Sequence, residues 1–459
     1  MSLLKILNSI NDIVWGPPLL LLMGCVGILL TVRLRGVQIK HLFYAHKLAF
    51  TREDKGAEGD ISHFQALMTA LAATIGIGSI TGVATAIAVG GLGSLFWMWV
   101  AAFFGMATKY AEGILAIKYR EIDSNGQMCG GPMYYLEKGL KAKWLGVIFA
   151  ILTSCAAFGT GNMVQSNSVA NALFETFSIS PTITGLFLVL ISAFPLLGGI
   201  KSIGKVVEVL VPTMALFYLL ISLSVVLIHY KEVPSAFMMI FKTAFTGQAA
   251  TGGFVGSTMM LAIQLGVSRG VFSSEAGLGS SPIAAAAAKT DSPGRQALVS
   301  MCSVFITTGV VCTLTGLAIA TTGVLGKLDS AGNVLDGSNL ALAAFSSTLP
   351  YGGMMVTLAI IPFAYSTILG WAYYGEKTME YLFGVKSIFP YRVFYLAAVF
   401  IGCVLNLQVV WGFSNIMNGL MAFPNLIGLL FLSGVVSYET ILFEALLKRE
   451  KALKIKPKA

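Results

Sequence analysis

The chain has 459 residues, of which 56% are hydrophobic and only 11% charged, against roughly a quarter charged in a soluble chain. So few charges cannot cover a water-soluble body of this size, so lipid must replace water over much of the outside. The net charge of +9 lies in short segments between apolar runs, a pattern of membrane topology rather than of a nucleic-acid surface.

The first apolar run, Val14 to Val32, is long enough to span a bilayer. It ends in Arg33-Leu34-Arg35 and lacks a small-residue cleavage site, so it reads as a retained helix and not a removable signal. With that run at 14–33, further runs follow at 63–91, 94–118, 146–174, 182–200, 204–229, 253–288, 297–324, 352–375, 391–408 and 411–440. Together they predict an all-α integral membrane protein with about eleven transmembrane helices. Pro424 leaves the last run open to division into a short interfacial helix near 411–421 and a following span. Pro234–Phe245 predicts an amphipathic helix on the outer face, and the polar stretch from Gly326 to Leu349 a solvated loop able to act as a thin gate.

With this span count, 25 of the 30 Lys and Arg fall on one side, four on the other, and Arg269 within a span. The side richer in Lys and Arg is cytoplasmic. The expectation is a multi-pass protein of the plasma (inner) membrane, N-terminus outside and C-terminus cytoplasmic. The six cysteines include no CxxC pair and the four histidines no metal-ligand spacing. Neither a Ser-His-Asp set nor a phosphate-cradling loop is present, which leaves an enzyme or an ATP-driven pump unsupported.

Two spans carry residues that a continuous helix disfavours. The second reads Ala72-Ala73-Thr74-Ile75-Gly76-Ile77-Gly78-Ser79-Ile80-Thr81-Gly82, and each interior glycine costs about 1 kcal/mol. The seventh reads Gly266-Val267-Ser268-Arg269-Gly270-Val271-Phe272-Ser273-Ser274-Glu275-Ala276-Gly277-Leu278-Gly279-Ser280. Its 36 residues from Gly253 to Ala288 would run about 54 Å as one helix, well beyond a hydrocarbon core of about 30 Å. Close helix packing would account for Gly78 and Gly82, four apart, but not for the density of hydroxyls or for two such segments five spans apart.

Interrupted helices at matching positions of two halves point to a transporter site near the midplane. Unwinding exposes N–H groups suited to a carboxylate and carbonyls suited to a hard cation or an ammonium. The layout predicts residues 1–62 as an N-terminal helix and basic cytoplasmic loop, 63–230 as a first five-helix repeat, 231–440 as an inverted second repeat, and 441–459 as a basic cytoplasmic tail.

At these residues the chain resembles the alanine or glycine:cation symporter family (sodium/alanine symporters). The runs that carry the resemblance include Ala73-Thr74-Ile75-Gly76, Gly82-Val83-Ala84-Thr85-Ala86-Ile87, Gly105-Met106-Ala107-Thr108-Lys109-Tyr110-Ala111-Glu112 and Gly130-Gly131-Pro132-Met133-Tyr134-Tyr135. Glu275-Ala276-Gly277-Leu278-Gly279-Ser280 and Pro362-Phe363-Ala364-Tyr365-Ser366-Thr367-Ile368-Leu369-Gly370-Trp371 continue it, so that it extends from about residue 60 to 430.

The resemblance implies a leucine-transporter-like 5+5 fold with one extra N-terminal helix. It also implies uptake of small neutral amino acids by alternating access, with Na+ as coupling ion and no other cofactor. Carried over residue by residue, it implies substrate contacts at Thr74, Gly78, Ser79, Gln165, Phe272, Ser274, Thr367 and Trp371. A sodium site is expected at Ala73, Gly76, Ser366 and Thr367. The partners implied are a small neutral amino acid, sodium and the lipid bilayer, with no nucleic acid.

Two positions depart from the family pattern, which reads Asn where this chain has Ser79 and Ser274. The expected effect is an altered cation site or a pocket for a slightly larger substrate. Lys109 and Glu112, three apart on one helix face, are expected to act in gating, as are Arg269 and Glu275 flanking the second break. A proton-coupled or glutamine-sized amino-acid transporter is the second reading, and an ion channel the third.

Overall fold

The computed structural model describes residues 3–50, 57–246, 258–328, 332, 334–405 and 408–452. The start of the predicted span 253–288, Arg52 and Lys55 of the basic loop, Asp329 and Asn333 of the polar loop, and residues 453–459 of the basic tail lie outside the described residues.

The described chain is almost wholly helical, with one two-stranded hairpin, β1 (Glu121–Ile122) and β2 (Met128–Cys129). Helices α1 (Leu3–Val14) and α2 (Pro17–Arg33) meet at Gly16. Helix α3 (His63–Thr74) starts at a reciprocal cap: Ser62 Oγ accepts from the Gln65 amide, and Gln65 Oε1 from the Ser62 amide. A single 3-10 turn, Ile77–Ser79, separates it from α4 (Thr81–Gly90), and the two helices meet at 64°. Next come α5 (Gly93–Lys118), α6 (Lys143–Phe158) and α7 (Val164–Phe177), the last two joined through a π-helical turn, Gly159–Met163. Helices α8 (Pro181–Leu197), α9 (Gly199–Ile228) and α10 (Val233–Thr246) follow.

Next come α11 (Met259–Ser274), capped by Thr258 Oγ1, and α12 (Ser281–Ala286). Helices α13 (Pro293–Val304) and α14 (Thr313–Thr321) flank a second π-helical stretch, Phe305–Cys312. Then come α15 (Gly337–Ser346), α16 (Gly352–Phe383), α17 (Ile388–Val404) and α18 (Gln408–Ala452). Among the described residues, eight helical stretches are long and apolar enough to cross a membrane, and the α3–α4 pair is a ninth, bent one.

Three expectations change in detail. The seventh span is not unwound from Gly266: α11 runs unbroken to Ser274, and the break is confined to Glu275–Ser280. Gly266 is needed for packing instead, because a Cβ there would stand 2.4 Å from the Ser94 carbonyl oxygen of α5. Nor does Pro424 divide the last span, since α18 continues through it; neighbouring helices can absorb such a proline within a membrane. The polar loop contains a helix, α15, whose Ser338 hydroxyl lies 2.9 Å from that of Thr81 at the start of α4. The predicted amphipathic helix is α10, which pairs with α5 through Trp97 Nε1 donating to the Ala244 carbonyl and through an aromatic cluster of Phe96, Trp99, Phe237, Phe241 and Phe245. Such a belt suits the membrane–water interface.

Charge is concentrated at the end of the bundle that the Lys/Arg count predicts to be cytoplasmic, here the basic end. Buried Lys377 donates to Glu380 at 2.8 Å and to Asp123 of the hairpin at 3.2 Å. Arg120 donates to the carbonyls of Glu58, Ala286 and Ala288, which ties the segment before α3 to the end of α12. Arg392 forms a bidentate pair with Glu376.

Candidate functional site

The two breaks face each other across the centre of the bundle. In the first, Ile75 leaves α3 and Gly76 is extended. The Ser79 amide then donates to the Gly76 carbonyl, closing the 3-10 turn. Gly76 has no room for a side chain, because a Cβ would stand 2.5 Å from Thr367 Oγ1 of α16. In the second, Glu275 (φ 54°), Gly277 (φ 87°) and Gly279 (φ 85°) adopt left-handed backbone, which glycine supplies without steric cost.

Side chains from outside the breaks hold the second one in shape. Lys109 Nζ donates to the Ser274 carbonyl at 2.9 Å, and Glu112 Oε1 accepts from the Gly277 amide at 3.1 Å. Asn425 of α18 donates to the same Glu112 oxygen at 2.7 Å and to the Gly277 carbonyl at 2.9 Å. Tyr135 hydrogen-bonds the Asn425 amide oxygen. Glu275 accepts from Ser280 at 2.8 Å, within the break itself. Lys109 and Glu112 therefore reach the break from one face of α5. Buried charge so deep in a membrane persists only when paired in this way.

Between the breaks lies a small cavity of about 10 Å³, lined by Ala73, Thr74, Gly76, Gly78, Thr160, Gln165, Phe272, Glu275, Thr367, Trp371 and Asn418. That is space for about one water. Of the residues expected to touch substrate or cation, Thr74, Gly78, Gln165, Phe272, Thr367, Trp371, Ala73 and Gly76 are all in the wall.

Ser79, Ser274 and Ser366 are not in the wall. The 3-10 turn carries Ser79 behind it, where its carbonyl accepts from Thr315 Oγ1, itself bonded to Tyr218. Ser274 sits at the end of α11, where its hydroxyl accepts from the Ala276 amide and caps the turn. Ser366 and Thr367 both donate to the Ala72 carbonyl, at 3.2 and 3.0 Å, and each also bonds back to Phe363 within α16. Two hydroxyls and a carbonyl thus meet at one point beside Gly76, the oxygen-rich donor set that a hard cation requires.

Sequence reasoning missed Thr160 and Asn418. Thr160 lies in the π-helical turn, and the Thr160 carbonyl accepts from Gln165 Nε2 at 3.0 Å. The run Gly159-Thr160-Gly161-Asn162 in mid-span was the available signal, since π-turns recur at functional sites. Nothing in the sequence of α18 sets Asn418 apart from Asn415 and Asn425 until the helix is packed.

Arg269 lies one turn from Phe272, with its guanidinium 6.0 Å from that ring, on the side of the cavity away from the basic end. It takes no part in the hydrogen bonds that hold the second break. Instead it lines a second chamber, of about 30 Å³, with Gly78, Thr81, Phe272 and Trp411. It also lines a third, of about 160 Å³, with Asp12, Gln264, Ser268, Phe272 and Asn415.

The model of the Sodium:alanine symporter family matches residues 1–457. The sodium/alanine symporter AgcS of Methanococcus maripaludis is 54% identical over 455 residues, covering 98% of this chain and 99% of that one. The chain belongs to the sodium:alanine symporter family.

More distant similarity within this family reaches a Bacillus subtilis protein bearing the name "Probable sodium/glutamine symporter GlnT". It is 36% identical over 433 residues, covering 94% of this chain and 88% of that one. Among solved structures, MhsT in complex with L-phenylalanine superposes with a TM-score of 0.54 at 13% identity, covering 84% of this chain and 99% of that one. A manganese transporter of Eremococcus coleocola gives 0.52 at 14% identity, covering 85% and 89%. At such identities the likeness is one of fold alone, the leucine-transporter-like fold. In this chain the two interrupted helices are α3–α4 and α11–α12.

Proposed function

We propose that this protein is a secondary active symporter carrying a small neutral amino acid of the alanine/glycine class into the cell with sodium. The observation that carries this reading is a set of three buried acceptor oxygens on the central cavity, Gln165 Oε1, Asn418 Oδ1 and Glu275 Oε1. None of them has a hydrogen-bond donor among the described residues. Buried acceptors without donors cost about 1–3 kcal/mol each. A primary ammonium group brings three N–H donors and a positive charge, and so satisfies all three at once.

The substrate carboxylate then faces the opposite wall, the backbone of the first break near Gly76–Gly78 and the N-terminal end of α4, where the helix dipole favours negative charge. Phe272 and Trp371 close over the remaining volume, which favours a short side chain. Sodium sits where the Ser366 and Thr367 hydroxyls, whose protons go to backbone carbonyls, offer it their lone pairs, with the Ala73 and Gly76 carbonyls completing its shell. Thr367 touches both the cation region and the substrate cavity, so each solute organises the wall that the other uses, and binding becomes coupled.

The Lys/Arg asymmetry supports an external N-terminus and a cytoplasmic C-terminus. On that reading the basic end is the inner gate, shut by Lys377, Asp123 and Arg120, while the cavities beside Arg269 lead outward. The 63–230 and 231–440 segments are the two five-span halves, each opened by its interrupted helix, with α1–α2 outside them. The test is counterflow of radiolabelled alanine in proteoliposomes under sodium, lithium or proton gradients, with glycine and glutamine as competitors. Sodium-dependent, alanine-saturable exchange is expected. Proton-driven exchange, a preference for glutamine, or non-saturating current would each replace this reading with another.

A further inference from the structure

The transport reading places substrate in the cavity between the breaks and assigns no binding role to the 160 Å³ chamber on the far side of Phe272. That chamber carries opposite charges from two elements. Arg269 projects from α11, and its buried Nε has no hydrogen-bond partner among the described residues. Exposed Asp12 comes from α1, outside the two halves. No ion pair joins either residue to another among the described residues. The wall is fixed rather than loose: Trp15 Nε1 donates to the Asn415 carbonyl at 2.9 Å, and Gln264 Nε2 to the Trp15 carbonyl at 3.4 Å.

Phe272 lines all three chambers and Arg269 the outer two, and their volumes are about 160, 30 and 10 Å³. In this conformation only the widest can admit an amino acid. We propose that it is an entry site that captures the zwitterion before Phe272 yields, with Arg269 taking the carboxylate and Asp12 attracting the ammonium. A guanidinium binds a carboxylate through paired N–H donors, and the unpaired Nε supplies one of them. Asp12, on the opposite wall, discriminates against plain anions. The proposal gives the N-terminal helix a function of its own, and it rests on the amino-acid reading above.

The test compares the unaltered protein with Arg269→Gln, Arg269→Lys and Asp12→Asn in proteoliposomes, measuring sodium-driven alanine uptake at low and high ionic strength. Alanine is a net-neutral zwitterion, so the two charges act as local partners rather than by long-range steering, and a lost charged hydrogen bond is worth about tenfold in affinity. Arg269→Gln and Asp12→Asn should therefore each raise the alanine KM roughly tenfold, with kcat little changed and the salt dependence of KM reduced. Arg269→Lys should recover part of the KM.

A KM and salt response unchanged in Asp12→Asn overturns the proposal, and this exposed position keeps the test alive if Arg269→Gln fails to fold. A fall in kcat at constant KM overturns it too, because it makes Arg269 a gate. A binding measurement separates this failure from that of the transport reading. In Ser268→Cys protein, alanine should protect the thiol from a charged reagent better than propionate or ethylamine at equal concentration. Equal protection by all three refutes the entry site even where alanine is transported. If the unaltered protein carries no alanine, the transport reading fails instead.

Discussion

Lys109 places its ammonium group 2.9 Å from the carbonyl oxygen of Ser274, the last residue of α11 before the second break. A helix end leaves its final carbonyls unsatisfied, and at this depth no solvent reaches them. The lysine satisfies one of these carbonyls and places positive charge at the negative end of the half-helix dipole. Replacing it by Met leaves a buried carbonyl open and Glu112 and Glu275 without their nearby cation. Lys109→Met should cost about 3–5 kcal/mol, seen as a lowered unfolding temperature in detergent together with loss of uptake. Lys109→Gln keeps a donor and should recover part of the stability.

The Ser366 and Thr367 hydroxyls converge on the Ala72 carbonyl. If that point is the cation site, Thr367→Ala should raise the sodium concentration for half-maximal uptake by tenfold or more, equivalent to about 1.4 kcal/mol of lost ion binding. Thr367→Ser, which keeps the oxygen, should stay within a few-fold. Uptake titrated against sodium at saturating alanine makes the comparison. An unchanged sodium response in Thr367→Ala removes the residue from the ion's shell.

Gly76 faces Thr367 so closely that a single methyl group would collide with its hydroxyl. The neighbour is the β-branched side chain of a packed helix, so it cannot swing aside freely. Gly76→Ala should give folded protein, monodisperse in detergent, whose sodium-dependent alanine binding falls by at least tenfold, corresponding to about 1.4 kcal/mol or more. Equilibrium binding of labelled alanine reads this directly.

Asp123 of the β1–β2 hairpin pairs with Lys377 at the basic end, the inner gate of the proposed transport cycle. Burial acts to raise its carboxyl pKa, but the Gln127 amide and the Lys377 ammonium outweigh this and hold it below its ordinary value of 3.8. A carboxylate with a depressed folded pKa contributes stability above its unfolded value and loses it as pH falls through the lower folded one. The pairing should therefore be constant from pH 8 to pH 5 and fail only in stronger acid. Asp123→Asn should loosen the gate at neutral pH, where acid does not. The monitor is Cys129 on β2, buried and free, with its thiol raised by burial; its labelling should speed up severalfold.

Ser79 and Ser274 were expected to reshape the pocket where they replace the family's asparagines. Neither lines the cavity: the Ser79 carbonyl is held by Thr315 of α14, its hydroxyl is buried, and the Ser274 hydroxyl caps a turn. Ser79→Asn and Ser274→Asn should therefore leave the rank order of alanine, glycine and larger neutral amino acids unchanged. A competition panel in proteoliposomes checks this, and a reversal of rank would return both serines to the site.

Much was legible from pattern alone. Runs of apolar residues near 20 long have one physical meaning in a chain with so little charge. Glycine and serine clustered in such runs weaken the helix locally, which is why both breaks could be read in advance. Their edges could not. Gly266 and Gly270 look like breakers beside Gly277 and Gly279, yet the first two sit in α11, where they let α5 approach, and only the latter take left-handed backbone. A glycine's conformational freedom and its small volume are the same letter in the sequence.

The amino-acid sequence by itself determined the membrane class, the helical content and the two interruptions, because each follows from local hydrophobicity or backbone propensity, while most residues of the cavity wall were named by what the family resemblance implies. Tertiary structure alone decided which polar atoms are left without partners. Asn425 and Asn418 differ by two turns of α18, yet the first is spent on Glu112 and Gly277 while the amide oxygen of the second faces the cavity unpaired. Hydrogen-bond satisfaction depends on what packs opposite, and helices far apart in the chain supply that.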